Sequence, residues 1–270
     1  MADEQAPVGV DVTTPNIARI YDYFLGGKDN YATDRAAAEQ IMKSVPEAPA
    51  SARANRAFLT RAVRFLAGEA GVRQFVDVGA GLPTQGNVHE VARGVNPDAR
   101  VAYVDNDPIV LAHARALMVE DEGVAVVQGD LRRPEEILAD ERLRRLIDFR
   151  EPVAVLLVAI LHFIGDDEDP FTMVARLLDT LPAGSHLVIS HGYEGGMDGG
   201  ASERAQSVYR RSTSSIHSRD PEQVARFFGG WEILDPGVVW ISQWRPTPDD
   251  AMADPSVTHF LGAVGRTPQG

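Results

Sequence analysis

The chain carries two kinds of hydrophobic periodicity, one after the other. Residues 15–25 place Ile17, Ile20, Tyr21, Phe24 and Leu25 at helical spacing, and the pattern stops at Gly26-Gly27. A second helical pattern covers 33–45 and halts before Pro46. A third opens with Ser51 as N-cap, lines up Phe58, Leu59, Ala62, Val63 and Leu66, and ends near Gly71. From residue 74 short runs rich in Val, Ile and Leu take over, at 74–78, 100–104, 124–128, 152–159 and 186–190. Helical segments separate them at 85–93, 108–118, 134–148 and 170–180. Apolar strands alternating with helices predict a parallel sheet covered on both faces. The end of the chain differs. A helix at 222–228 is followed by strands at 237–244 and 257–265, joined by a loop too short for a comfortable parallel crossover. The expectation is therefore an α/β fold: five parallel strands closed by an antiparallel pair, with an N-terminal helical cap. Residues 1–12 read as a disordered tail and 13–270 as one domain, divided into a cap (13–70) and a core (71–270).

Composition narrows the partners. The 270 residues carry a net charge of −13, which argues against a nucleic acid or an anionic membrane surface as partner. There is no cysteine, so thiolate chemistry and disulfides are excluded. The first residues lack a basic stretch followed by an apolar run, so no signal peptide is expected. The longest apolar run, 153–161, falls short of the roughly 20 residues that span a bilayer. A cytoplasmic protein follows; its oligomeric state is open.

Candidate chemistry gathers where the strands end. The first strand runs into Gly79-Ala80-Gly81, a turn that lets a ligand approach the backbone. Thr84 stands where a dinucleotide fingerprint needs its third glycine, so a pyrophosphate cradle fits poorly, and a mere tight turn is the plain alternative. After the second strand, Asp105 can accept hydrogen bonds from both hydroxyls of a ribose, while Asp107-Pro108 reads as a helix cap. After the third, Gly129, Asp130 and Leu131 suit an adenine, with a helix cap as the competing role for Asp130. After the fourth come Ala159 and His162, the latter either structural or a base or orienting group. The acidic 165–170 stretch could hold Mg²⁺, but reads better as a solvated loop in which Asp169 caps a helix beginning at Pro170. Convergence at four successive strand ends describes a site for an adenosine-containing ligand.

These motifs resemble those of class I S-adenosylmethionine-dependent methyltransferases. More narrowly, "NIARIYDYFLGGKDNYATDRAAAEQ" and "RANRAFLTRAVRFLA" resemble the actinobacterial S-adenosyl methyltransferase family first catalogued as a domain of unknown function. The resemblance implies a Rossmann-like domain that binds S-adenosyl-L-methionine and moves its methyl group to an acceptor that the family leaves open; a small molecule is the expectation here. It implies that Gly79, Ala80 and Gly81 pass the cofactor's amino-acid end, that Asp105 holds the ribose and that Asn106 flanks the adenine. The N-terminal segment becomes a lid in which Tyr21, Gly26, Gly27, Asn30 and Tyr31 reach the cofactor. His162 is the candidate base or substrate-orienting group. The insert after the fifth strand supplies an acceptor surface where Arg210 and Arg211 could meet an acidic substrate. A non-catalytic cofactor sensor and an NAD-type oxidoreductase are the rival readings.

Overall fold

Strand β1 (Gln74–Val78) is buried along its whole length, as a central strand covered on both faces must be. The computed structural model describes residues 11–83, 86–117, 121–195, 197, 199–212, 215–248 and 254–268. Around β1 the chain lays down β2 (Arg100–Asp105), β3 (Val124–Gln128), β4 (Val153–Val158) and β5 (His186–Gly192). It then adds β6 (Glu232–Ile233), β7 (Val239–Trp240) and β8 (Phe260–Arg266). The order across the sheet is β3-β2-β1-β4-β5-β8-β6, with β7 paired to β8 off this path. The first five strands are parallel, and β8 runs antiparallel to β5, β6 and β7. Strand order reverses between β1 and β4, so a crevice opens at their carboxyl ends.

Alternation along the strands fills two cores. Val76, Val155 and Leu157 face one layer, with Ile137 of α6 (Pro134–Ala139), Leu143 of α7 (Glu141–Leu146) and Leu177 of α8 (Pro170–Leu178). Phe75, Ala154 and Leu156 face the other, with Phe58 and Leu66 of α3 (Ala48–Gly68) and Ala92 of α4 (Val88–Arg93). Trp244 closes that layer, edge-on to Phe58 at 5.6 Å. Helix α5 (Pro108–Leu117) covers β2 and β3, and α10 (Pro221–Arg226) joins the first core through Val224. Among the described residues no helix is long and apolar enough to cross a membrane.

The N-terminal helices α1 (Ile17–Phe24) and α2 (Ala32–Ser44) form a small core of their own. Ile20 and Phe24 pack on Ala37, Ala38 and Ile41, and on Ala52 of α3. Helix α9 (Gly199–Tyr209), from the insert after β5, lies against α2.

Several sequence expectations need correction. Ser51 does not cap α3: the helix starts at Ala48 with Pro49 in its first turn, and Ser51 is buried inside it with its hydroxyl near the Glu47 and Val257 carbonyls. The helix expected over 134–148 breaks at Asp140, whose carboxylate caps α7 through the Arg142 and Leu143 amides. The strand expected over 237–244 is short, because Ile241–Gln243 forms a 3-10 turn. The two-residue β6 had no readable pattern. Of the expected tail, residues 1–10 lie outside the described residues. Asp11 and Val12 are tied down by their carbonyls, which accept from Arg19 and Thr33. Thr84, Gln85 and Met118 also lie outside the described residues.

Candidate functional site

Asp105 ends β2 with both carboxylate oxygens engaged by backbone. Its Oδ2 accepts the Gly81 amide at 2.9 Å and its Oδ1 accepts the Asp107 amide at 2.9 Å. Burial raises its pKa, against the pull of these amides. Two strand ends are thereby locked together, and each oxygen keeps lone-pair capacity for a further donor. The turn after β1 is shaped by two glycines with positive φ. Gly79 donates to Val104 O at 2.8 Å, and a Cβ there would lie 2.3 Å from Ile160 Cδ1. A Cβ on Gly81 would meet nothing within 4 Å among the described residues.

Asn106 donates its side-chain amide to Asp130 Oδ2 at 3.3 Å, which joins the ends of β2 and β3. Asp130 also accepts the Arg132 amide at 3.0 Å. Burial works against the Asp130 carboxylate, yet these hydrogen bonds and the Arg132 charge hold its pKa below the usual range. It does not cap α6, whose flanking Arg133 offers no side-chain cap. Gly129 leaves room for Ile137 and Val104, whose side chains a Cβ would meet at 2.7 and 2.9 Å. Asp107 does cap α5, accepting from Ile109 N at 2.8 Å, and its other oxygen takes the Asn16 side-chain amide at 2.6 Å. Asp169 caps α8 through the Thr172 amide, as expected.

Beyond β4 the backbone turns sharply at Ala159, whose φ is 57°. His162 follows, buried, with Nδ1 accepting the Gly192 amide at 3.2 Å. Burial, then the nearby His191, Arg219 and His217, hold its pKa well below the usual imidazole range. With Nδ1 accepting the Gly192 amide, the neutral ring carries its proton on Nε2. Nε2 is then the nitrogen left to meet a bound molecule, a geometry that suits the orienting role. Behind it Arg219 is 1% exposed and holds the loop through Leu161 O, Ile164 O, Asp166 and His191 Nε2. Asp166, in the acidic stretch considered for Mg²⁺, is thus engaged by an arginine.

A cavity of about 830 Å³ opens along these strand ends. Its walls bring together Gly79, Ala80, Gly81, Asp105, Asn106, Gly129, Asp130, Leu131, Ala159, His162 and, from the lid, Tyr21. Gly26, Gly27, Asn30 and Tyr31 are not on its walls. Their loop folds inward on Asp22: Asn30 Nδ2 donates to Asp22 Oδ2 at 2.8 Å, and so does the Asp29 amide at 3.0 Å. A Cβ on Gly27 would sit 1.9 Å from Asp22 Oδ1, so this glycine makes room for a carboxylate of its own chain. Tyr31 gives its amide to Asp34, the buried acid that also accepts from Asn16 N and Arg19 Nε. Arg210 and Arg211 are exposed and off the cavity walls.

Several wall residues have no role in the sequence reading, Asn55, Arg56 and Asp77 among them. Asn55 is 1% exposed, donates to the Tyr21 hydroxyl at 2.9 Å and accepts from Ser190 Oγ at 2.6 Å. Its signal was available: an amide three and four residues before Phe58 and Leu59 lies on the apolar stripe and must find partners. Arg56 gives one guanidinium nitrogen to Gly86 O at 2.9 Å. Asp77 was visible as a polar residue inside a buried strand; burial pushes its carboxyl up to about 7, with Arg56 opposing and Asp105 reinforcing the rise.

The sheet order and strand-end cavity define a methyltransferase-type α/β fold. A Bradyrhizobium japonicum N-methyltransferase, NodS, in complex with S-adenosyl-L-homocysteine, aligns with a TM-score of 0.51 over 93% of this chain and 100% of that one, at 10% identity. The S-adenosyl methyltransferase family model matches residues 3–268, and the chain belongs to that family. A Thermobifida fusca YX protein assigned as a methyltransferase is 42% identical, with a TM-score of 0.90 over 98% of this chain and all of that one. A Streptomyces avermitilis MA-4680 protein of the duf574 family is 38% identical, with a TM-score of 0.91, covering 96% of this chain and 99% of that one. A comparison with curated proteins gives no match.

Proposed function

We propose that this chain is one domain that binds S-adenosyl-L-methionine and transfers its methyl group to a small-molecule acceptor. The observation that carries the reading is Asp105, locked by the Gly81 and Asp107 amides on the wall of a strand-end cavity. The residues present fit the cofactor. Asp105 retains acceptor capacity for two ribose hydroxyls. Asn106, Asp130 and Leu131 offer polar edges and an apolar face to an adenine. Gly81, on the cavity wall, offers backbone to the amino-acid end, and Arg56 is at hand for a carboxylate. When bound, the cofactor supplies an electrophilic methyl on a sulfonium, which leaves as an electrically neutral thioether.

What this chain contributes is alignment and exclusion of water. Ala159 and His162 stand between the cofactor half of the cavity and the space beyond β5. His162 orients an acceptor through its Nε2 hydrogen. Helix α1 roofs the cavity through Ile17, Tyr21 and Phe24, so the lid role rests on the helix and not on the loop that follows it. Titration calorimetry with S-adenosyl-L-homocysteine and with NADH tests the reading. Binding of the first alone is expected, together with methyl transfer to a component of a metabolite extract. Binding of NADH alone sinks it in favour of an oxidoreductase, and tight binding with no transfer would make the protein a sensor.

A further inference from the structure

Strand order gives the cavity two chemically different halves. The carboxyl ends of β3, β2 and β1 lie to one side of β4, and β5 and β8 lie to the other. Gly192 of β5 pairs with Phe260 of β8, so this second half sits over their ends. Aromatic side chains wall it: Phe163, Tyr193, Tyr209 and Phe260. The Phe163 ring is 4.2 Å from that of His162 and 6.2 Å from that of Tyr209.

Two hydrogen-bond donors face this space. His162 is 3% exposed, and its Nε2 has no hydrogen-bond partner among the described residues. The Tyr209 hydroxyl likewise has none among the described residues. Both residues line the cavity, so both donors are open to a partner that enters it. The half contains a carboxylate, Glu194, whose Oε1 accepts from Gln206 Nε2. Its wall gains no cation among the described residues. The arginines on the cavity wall are Arg19, paired with Asp34, Arg56, beside Asp77, and Arg132, paired with Glu168. All three belong to the lid or the cofactor half. The insert has no lysine, and its Arg204, Arg210 and Arg211 are exposed and off the wall.

We propose that the methyl acceptor is an uncharged, planar aromatic molecule that offers an oxygen to the Nε2 hydrogen of His162 and the hydroxyl of Tyr209. Aromatic walls take the ring faces. Glu194 turns anionic analogues away, because like charges in a half-closed cavity repel strongly and the cation behind His162, Arg219, is already paired with Asp166. The assignment rests on the methyltransferase reading for the word acceptor, but the binding preference belongs to the second half alone.

The test is a charge series on one ring system. Naphthol, naphthoate and naphthylmethylammonium are titrated into protein loaded with S-adenosyl-L-homocysteine and into free protein. Affinity for S-adenosyl-L-homocysteine is measured separately and reports on the cofactor half, so its failure is distinguishable from failure here. Naphthol is expected to bind at least about tenfold more tightly than naphthoate, or about 1.4 kcal/mol. Tyr209→Phe should weaken naphthol by about threefold or more while leaving S-adenosyl-L-homocysteine affinity unchanged. Glu194→Gln should close most of the gap between naphthoate and naphthol. The assignment is overturned by naphthoate or the ammonium binding as tightly as naphthol, by no saturable binding of any of the three, or by a gap that Glu194→Gln leaves intact.

Discussion

The amide of Ala159 donates to Ser190 Oγ at 2.9 Å, while the Ala159 backbone is held at a φ of 57°. A residue with a Cβ pays about 1–2 kcal/mol for that left-handed conformation. The same Ser190 hydroxyl donates to Asn55 Oδ1 at 2.6 Å, and Asn55 donates to the Tyr21 hydroxyl at 2.9 Å. Ser190 and Asn55 are both buried. One chain of hydrogen bonds thus joins a strained strand end beside the cavity to the helix that roofs it.

Removing the hydroxyl should therefore cost more than one bond. Ser190→Ala leaves the buried Asn55 Oδ1 without this donor, and a loss of about 1–3 kcal/mol is expected in urea denaturation. Ala159→Gly relieves the left-handed strain, and a gain of up to about 1 kcal/mol is expected despite glycine's greater unfolded freedom. A stabilised Ser190→Ala variant would show that the chain of bonds holds nothing.

Asp105→Ala should weaken binding of S-adenosyl-L-homocysteine by at least about tenfold, or about 1.4 kcal/mol. Asp105→Asn is not a mild change here. The amide nitrogen would face the Gly81 or Asp107 N–H, donor against donor. Calorimetry on both variants checks this, with a denaturation curve to establish folding. Unchanged affinity in a folded Asp105→Ala protein would remove this carboxylate from the ribose role.

Those strand ends were legible because local sequence dictates them. Apolar runs of strand length fixed β1 and β3 to the residue, and the sequence distance from Gly81 to Asp105 is that of one strand-helix-strand step. The inward fold of the lid loop was not legible because its partner is a side chain: Asp22, on a helix that otherwise looks like a surface arm, accepts from the Asp29 amide and the Asn30 side chain. Periodicity reports which face of a helix is apolar, and it is silent about which carboxylate a loop folds around. The Asn55–Ser190 bond spans 135 residues and is a tertiary fact. The break at Asp140 was missed because a helical pattern ran through it, although the capping acid was in plain view.

Asp34 is the point on which the lid turns. It accepts from Asn16 N, Arg19 Nε and Tyr31 N, at 2.8, 2.7 and 2.8 Å. Arg19 is 2% exposed, and without this partner it keeps the carbonyls of Asp11 and Thr14. Breaking one side of a buried ion pair costs about 3–5 kcal/mol. In Asp34→Ala, hydrogen exchange should speed up across Ile17–Phe24 while amides of β1, β2 and β4 keep their protection. S-adenosyl-L-homocysteine binding should weaken in parallel. Undiminished protection of α1 would mean that the helix is held by its apolar contacts alone.

Asp77 makes a pH signature that can be isolated. Burial sets its folded pKa at about 7, against an ordinary value of 3.8. Between those two values the native state keeps a proton that the unfolded chain has already released. Stability therefore falls as pH rises from about 4 to about 7, and the loss is complete above it. Buried His186 and His191 act in the opposite sense, because their pKa values are lowered to about 4 by burial, so the unfolded chain binds more protons below 6.5. The two slopes overlap and partly cancel in the wild type. The difference between Asp77→Asn and wild type removes the histidines and any constant cost of the amide. That difference should be flat below about pH 4, should shift steadily in favour of the variant up to about pH 7, and should level off beyond it. Urea denaturation at pH 4, 5.5, 7 and 8.5 is sufficient to draw the curve. A difference that stays constant over this range would mean that Asp77 is ionised throughout, with Arg56 and not burial deciding its state.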